Sequence, residues 1–295
     1  MNEPRRVEHQ QTDKGYVPVY TTAVVEQPWD DYKAEDHATW GALYQRQREL
    51  LVGRASDEFL AAQDEMGMTP HAIPRFAQLN EVLGAATGWT LIGVEGLLPE
   101  LDFFDHLANR RFPVTWWIRR PDQIDYIAEP DLFHDLFGHV PLLMNPLFAD
   151  YMQAYGRGGV KAHGVGPEAL VNLTRLYWYT VEFGLINTSQ GLRIYGAGIV
   201  SSKGESLYSL ESPAPNRLGF DLQRIMRTRY RIDTFQKTYF VIDSYAQLIE
   251  ATGPDFTPLY ALLAEQDAVP AGQVLESDHV LTRGTGEGWS NDGDV

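Results

Sequence analysis

The chain has 295 residues, no cysteine, and 24 Lys and Arg against 40 Asp and Glu, for a formal charge of −16. An acidic balance of this size repels nucleic acid and anionic lipid, and the absence of cysteine excludes a haem-thiolate, an iron–sulfur cluster, a Cys-ligated zinc and a thiol nucleophile. No apolar stretch opens the chain and no run approaches the length of a membrane span, which predicts a soluble cytoplasmic protein.

Residues 1–30 are polar, carry Pro and Gln without periodicity, and read as an extended leader. From Asp36 the pattern turns helical: Trp40, Leu43, Tyr44, Leu50 and Leu51 recur on one face, Phe59, Leu60 and Met66 continue the set to Gly67, and Phe76, Leu79, Val82 and Leu83 repeat it until Gly88. Trp89 to Val94 leans to strand. V-E-G-L-L-P and a helix through D-F-F-D-H-L-A-N follow, and a second short strand, F-P-V-T-W-W-I, ends at Arg119 and Arg120. Pro121 and Pro130 mark an irregular link.

Beyond the segment Asp131–Pro141, Asn145 and Pro146 start one helix and Pro167 another, on which Trp178 and Glu182 stand one turn apart. I-Y-G-A-G-I-V-S-S-K-G-E-S holds too many small residues to build core, and its glycines let backbone approach a ligand or serve an ordinary turn. A helix from about Asn216, a strand through T-F-Q-K-T-Y-F-V-I and helices after Asp243 and Pro254 complete the body. Arg224, Arg227, Arg229 and Arg231 read as a surface of ion pairs, and 266–295 reads as a loose acidic tail. Without repeats, heptads or a linker, the expectation is one catalytic domain over 31–265, mainly α with short β-strands.

The chemistry gathers at D-L-F-H-D-L-F-G-H-V-P, which sets His134 and His139 five residues apart across Gly138. In an α-helix that step rotates the side chains by roughly 140°, so a bend at Gly138, with Pro141 forbidding further helix, is expected to turn both rings to one point behind an Asp131 cap. Glu182, a carboxylate within the apolar and aromatic run L-Y-W-Y-T-V-E-F-G-L, needs a partner and completes a set of two His and one carboxylate, the face that non-haem iron takes while leaving positions open. The same three residues suit a zinc hydrolase, although no H-E-x-x-H helix is present, or purely structural histidines in a binding protein.

V-E-G-L-L-P, N-R-R-F-P-V-T-W-W-I-R, E-P-D-L-F-H-D-L-F-G-H-V-P, Y-W-Y-T-V-E-F-G-L and I-Y-G-A-G-I-V-S-S, in this order, make the chain resemble the pterin-dependent aromatic amino-acid hydroxylases from roughly Asp31 to Leu263. The short bacterial type acting on phenylalanine is the most similar. The resemblance implies Fe(II) held by His134, His139 and Glu182, a tetrahydropterin (tetrahydrobiopterin or a relative) as two-electron donor, and O2 as co-substrate, with phenylalanine hydroxylated to tyrosine. It places the pterin along Val94, Gly96, Leu97 and Leu98, with Phe103 stacked on its ring and Asp135 near it. The amino acid falls with its carboxylate on Arg119, supported by Ser201, and its ring against Pro130 and Trp178 near Gly198. Glu205 either helps to hold the substrate or orders a loop. Asp135, Ile127 and Glu100 stand where animal members carry Glu, Thr and Ser. Trp178 argues against tryptophan as substrate and Ile232 against tyrosine. The lack of room for a regulatory domain or an oligomerisation helix implies a monomer.

Overall fold

The computed structural model describes residues 11–12, 15–16, 20–125, 127 and 129–289. Helices carry most of the mass because the long apolar stripes are helical in period. Ala34–Leu51 buries Trp40, Leu43, Tyr44 and Leu51. Pro146–Val165 begins where the Asn145 side chain accepts hydrogen bonds from the Leu147 and Phe148 N–H groups at 3.0 and 3.2 Å. It ends at Gly166, whose φ of 144° only glycine adopts freely, and Pro167 then opens the Pro167–Tyr177 helix.

Among the described residues, Gln11–Thr12 pairs with Gly15–Tyr16, and two larger sheets accompany the helices. In the smaller, Val24–Val25 lies antiparallel to Thr90–Val94, which runs parallel to Arg111–Thr115 with Val94 opposite Thr115. The crossover between the parallel strands contains the helix Glu100–Ala108. Both parallel strands therefore release their C-terminal ends, Glu95–Leu98 and Trp116–Arg119, on the same side, where open sheets of this kind place their ligands. The larger sheet runs in the order Val280–Thr282, Asn216–Gly219, Thr238–Ile242, Leu185–Thr188, Gly191–Ile194. Its central strand, Thr238–Ile242, is parallel to both neighbours and buried at every position, which its T-Y-F-V-I run already shows.

Four expectations change. Part of the leader lies outside the described residues, but 20–29 is a working strand and clasp: Thr21 N–H donates to Leu97 O at 2.8 Å, Gln27 Nε2 to Pro74 O at 2.9 Å, and Trp29 Nε1 to Ile73 O at 2.8 Å. A two-residue strand is too short to show a period. The tail is docked through 289, since Val280–Thr282 joins the large sheet, Val269 bridges to Thr228, and Asp278 forms a buried ion pair with Arg224 at 2.9 Å; residues 290–295 lie outside the described set. Its anchors are a three-residue strand, isolated buried residues such as Val269 and Ala271, and one ion pair, none of which shows an apolar period. Asn216 opens a strand, and the helix starts at Leu222 behind Asp221, whose side chain caps Arg224 N–H at 2.8 Å. Arg224 is accordingly a buried residue, while Arg231 pairs with Asp233 at 2.8 Å as expected of the surface.

Candidate metal centre and substrate cleft

His134 and His139 do converge, without any bend. His134–His139 is a π-helix, in which each N–H bonds five residues back, so residues five apart stack about one turn from each other and the pair shares a face. Gly138 stays helical. Its role is space, because a Cβ there would lie 2.9 Å from Ala197 O. Pro141 stops nothing; it begins the 3-10 turn Pro141–Met144. The third group is delivered by a second π segment, Trp178–Glu182, at the end of the Pro167–Tyr177 helix. Asp131 caps the first segment as expected, its Oδ1 accepting from His134 N–H at 3.1 Å.

The Nε2 atoms of the two histidines are 3.1 Å apart, His139 Nε2 is 3.1 Å from Glu182 Oε1, and His134 Nε2 is 3.6 Å from Glu182 Oε2. Three neighbouring ligands on an octahedron with bonds of about 2.1 Å would lie roughly 3.0 Å apart, so one divalent ion fits against all three and retains open positions opposite them. Among the described residues these three form the group of His and carboxylate atoms that close together. The protonation of His134 suits a metal. Burial pushes His134 down to about 4, leaving it neutral. Ser201 Oγ donates to Ala197 O at 2.7 Å, so at 3.0 Å from His134 Nδ1 it accepts the ring proton there and leaves Nε2 with its lone pair free. Burial opposes the charged forms of His139 and Glu182, but each outweighs it for the other: the imidazole is held above its ordinary value and the carboxyl below. Gly198 N–H also supports the Glu182 carboxylate, and a Cβ at Gly198 would lie 3.1 Å from Glu182 Oε2.

Residues 18–253 match the family of biopterin-dependent aromatic amino acid hydroxylases. The chain belongs to that family. It is 64% identical over 271 residues to a phenylalanine-4-hydroxylase of Ralstonia nicotianae, covering 92% of this chain and 86% of the relative, and 63% identical over 269 residues to that of Chromobacterium violaceum, covering 91% and 90%. The crystal structure of the Chromobacterium violaceum phenylalanine hydroxylase with bound oxidised Fe(III) superposes with a TM-score of 0.85 at 64% identity, over 88% of this chain and 93% of that one.

The three-ligand cluster has aromatic and cationic neighbours. Arg119, at the end of the Trp116–Arg119 segment, is buried against Asp131, with Nε to Oδ2 and Nη2 to Oδ1 both at 2.8 Å. One carboxylate thus fixes both the Arg119 fork and the start of the His134 segment. Nη1 has no hydrogen-bond partner among the described residues. Trp178 stacks on Tyr230 at 4.2 Å and meets Phe183 at a tilt of 36° and 4.6 Å, and its Nε1 donates to Gln236 Oε1 at 2.9 Å. Pro130 is exposed just ahead of Asp131, and Ser201 faces His134. Of the residues expected to hold a pterin, Val94 and Leu98 are buried, Gly96 and Leu97 half-buried, and the Phe103 ring lies 5.8 Å from Tyr177, itself 6.1 Å from His139. Asp135 accepts from Thr115 N–H at 2.7 Å and is pushed up to about 7 by burial.

Glu205 is buried and bonded within the protein. Its Oε1 accepts from Gln236 N–H at 3.2 Å and from the Tyr239 hydroxyl, and burial pushes it up to about 7. Sequence reasoning missed Asp131 as the partner of Arg119, and Gln236 and Tyr230 behind Trp178. Twelve and fifty-odd residues of separation leave no local pattern to read.

Proposed function

We propose that this chain hydroxylates L-phenylalanine to L-tyrosine with O2, using Fe(II) on His134, His139 and Glu182 and a tetrahydropterin held along Val94, Gly96, Leu97, Leu98, Phe103 and Asp135. The observation that carries the reading is the three-atom face with edges of 3.1 to 3.6 Å set beside an arginine fork and an aromatic wall. The relatives named phenylalanine-4-hydroxylase and the iron-bound structure support the substrate and the metal. Iron and reduced pterin, when bound, supply the activation of O2; the chain supplies position and dryness.

Arg119 offers its outer edge to the amino-acid carboxylate while Asp131 holds the fork still. That anchor sets the distance from the fork to the metal, and Trp178, braced by Tyr230 and Gln236, walls the ring so that its para carbon is the part presented. Ile232, exposed two residues after Tyr230, offers no polar group to a ring hydroxyl, which favours phenylalanine over tyrosine. A cytoplasmic monomer belongs to the same proposal, in keeping with the net charge of −16, which opposes self-association. Among the described residues no helix is long and apolar enough to cross a membrane.

The test is to strip the protein of metal and reload it with Fe(II) or Zn(II), then supply phenylalanine, reduced pterin and air. Tyrosine formed only with Fe(II), and in step with pterin oxidation, is the expected result. Turnover with zinc and indifferent to oxygen would overturn the reading, and light scattering decides the monomer.

A further inference from the structure

Gln236, two residues ahead of the central strand Thr238–Ile242, is only 3% exposed. A carboxamide buried to that degree has to find partners for one oxygen and two N–H groups. All are found: Oε1 accepts from Trp178 Nε1 at 2.9 Å, and Nε2 donates to the Arg231 carbonyl at 2.8 Å and the Thr234 carbonyl at 3.3 Å. The partners force the orientation, because an indole N–H only donates and a carbonyl only accepts, so the oxygen faces Trp178 and the nitrogen faces the loop. Few side chains could replace it. Glu lacks the donors, and Lys and Arg lack the acceptor.

The amide thereby joins two pieces of chain more than fifty residues apart. One is the Trp178 indole, stacked on Tyr230 at 4.2 Å and set at the start of the π segment that delivers Glu182. The other is the loop 231–234, whose Ile232, Asp233 and Thr234 are exposed and which Gln236 grips at both ends. The flanks of the loop are pinned: before it the Tyr179 hydroxyl donates to Arg229 O at 2.6 Å, and after it Phe235 stacks on Tyr208 at 4.6 Å while Gln236 N–H donates to Glu205 Oε1 at 3.2 Å. Between the flanks there is no helix or strand. The Arg231–Asp233 pair within the loop involves an exposed carboxylate and is worth little, so the buried amide bonds count for more.

We propose that Gln236 is a positioning residue that sets ring specificity: its amide locks the Trp178 indole to the loop that carries Ile232, so that the two groups facing the substrate ring keep one fixed relation. The inference rests on the hydroxylase reading above. Gln236 touches neither substrate nor metal ligand and acts only through Trp178 and the loop.

Three variants separate the halves of the amide. Gln236→Met removes all three bonds at similar length, Gln236→Glu keeps the acceptor for Trp178 but loses both donors to the loop, and Trp178→Phe loses only the indole N–H. Phenylalanine binding to the anaerobic Fe(II)-loaded protein is measured by calorimetry, and turnover by the KM for phenylalanine and for pterin and by tyrosine formed per pterin oxidised. Gln236→Met is expected to weaken phenylalanine binding about tenfold and the other two about threefold each, with less tyrosine per pterin and with pterin KM and iron affinity within about twofold of the wild type. In the Trp178→Phe background Gln236→Met is expected to cost less than it does alone, since one of its bonds is already gone. Unchanged phenylalanine binding and coupling in Gln236→Met, or in Trp178→Phe should the former not fold, overturns the proposal. Effects that simply multiply in the double variant also overturn it, as does a loss of iron affinity as large as the loss for phenylalanine, which would make Gln236 a prop of the metal site. Absence of tyrosine from the wild type would instead defeat the hydroxylase reading, while calorimetry still decides the role of Gln236.

Discussion

Replacing Ser201 with Ala isolates the part of the metal site that no ligand atom touches. In the wild type Ser201 Oγ gives its proton to Ala197 O at 2.7 Å and takes the His134 Nδ1 proton at 3.0 Å. The substitution removes a buried acceptor without adding bulk, so the Nδ1 proton is left unpaired or moves to Nε2, where it blocks the metal. An unpaired buried donor costs about 1–3 kcal/mol, which is roughly 5- to 150-fold in a binding constant. Partners that orient a ligating imidazole are typically worth about 10–100-fold in affinity. Anaerobic competition for Fe(II) against a calibrated chelator, with thermal melting of the metal-free protein alongside, measures the loss apart from any fold defect. A weakening of about tenfold or more, largely restored by Ser201→Thr, is expected. Iron affinity within twofold of the wild type would refute the claim that this bond sets the tautomer.

Asp131→Asn leaves Arg119 buried beside a neutral amide, a change that for buried pairs costs about 3–5 kcal/mol; urea unfolding should show it, and the KM for phenylalanine should rise as the fork loses its fixed edge. An unchanged urea midpoint would mean that Asp131 does not carry the pair. Glu205, pushed up to about 7 in the folded chain from an ordinary 4.5, binds its proton more tightly when folded, so its contribution to stability is complete below about 4.5 and lost as pH rises through 7. Relative to Glu205→Gln, the wild type should therefore lose about 3 kcal/mol between pH 5 and pH 8 in paired melts, and a difference that does not change with pH would count against the burial argument.

The three ligands were legible because each broke its surroundings: two imidazoles in an apolar D-L-F-H-D-L-F-G-H, and one carboxylate among aromatics. The geometry joining the histidines was not. An α-helical ruler makes a five-residue spacing look like a bend, and Gly138 and Pro141 look like its instruments, whereas the chain widens to a π turn and uses the glycine for clearance. Nothing in residue type announces that choice, since it is made by what packs alongside. The same holds for Asp131, whose two partners are one in the next turn and one twelve residues back, and for Asn216, where a four-residue strand is revealed only by its register against Thr238–Ile242. Local pattern names the groups that need partners; it does not name the partners.

What packs alongside is the four-residue helix Ala197–Val200, within the stretch whose small residues seemed unfit for core. It meets both π segments at once. The Ala197 carbonyl faces Gly138 and accepts from Ser201, which holds His134, while Gly198 N–H supports Glu182. Side chains larger than these would separate the two segments: a Cβ at Gly138 would sit 2.9 Å from Ala197 O, and one at Gly198 2.9 Å from the Phe183 ring. π turns are less favourable than α turns and persist where surrounding structure enforces them. Here one short helix does so for both, which is why Glu182, more than forty residues from the histidines, keeps edges of 3.1 and 3.6 Å to them against the roughly 3.0 Å of an octahedral face.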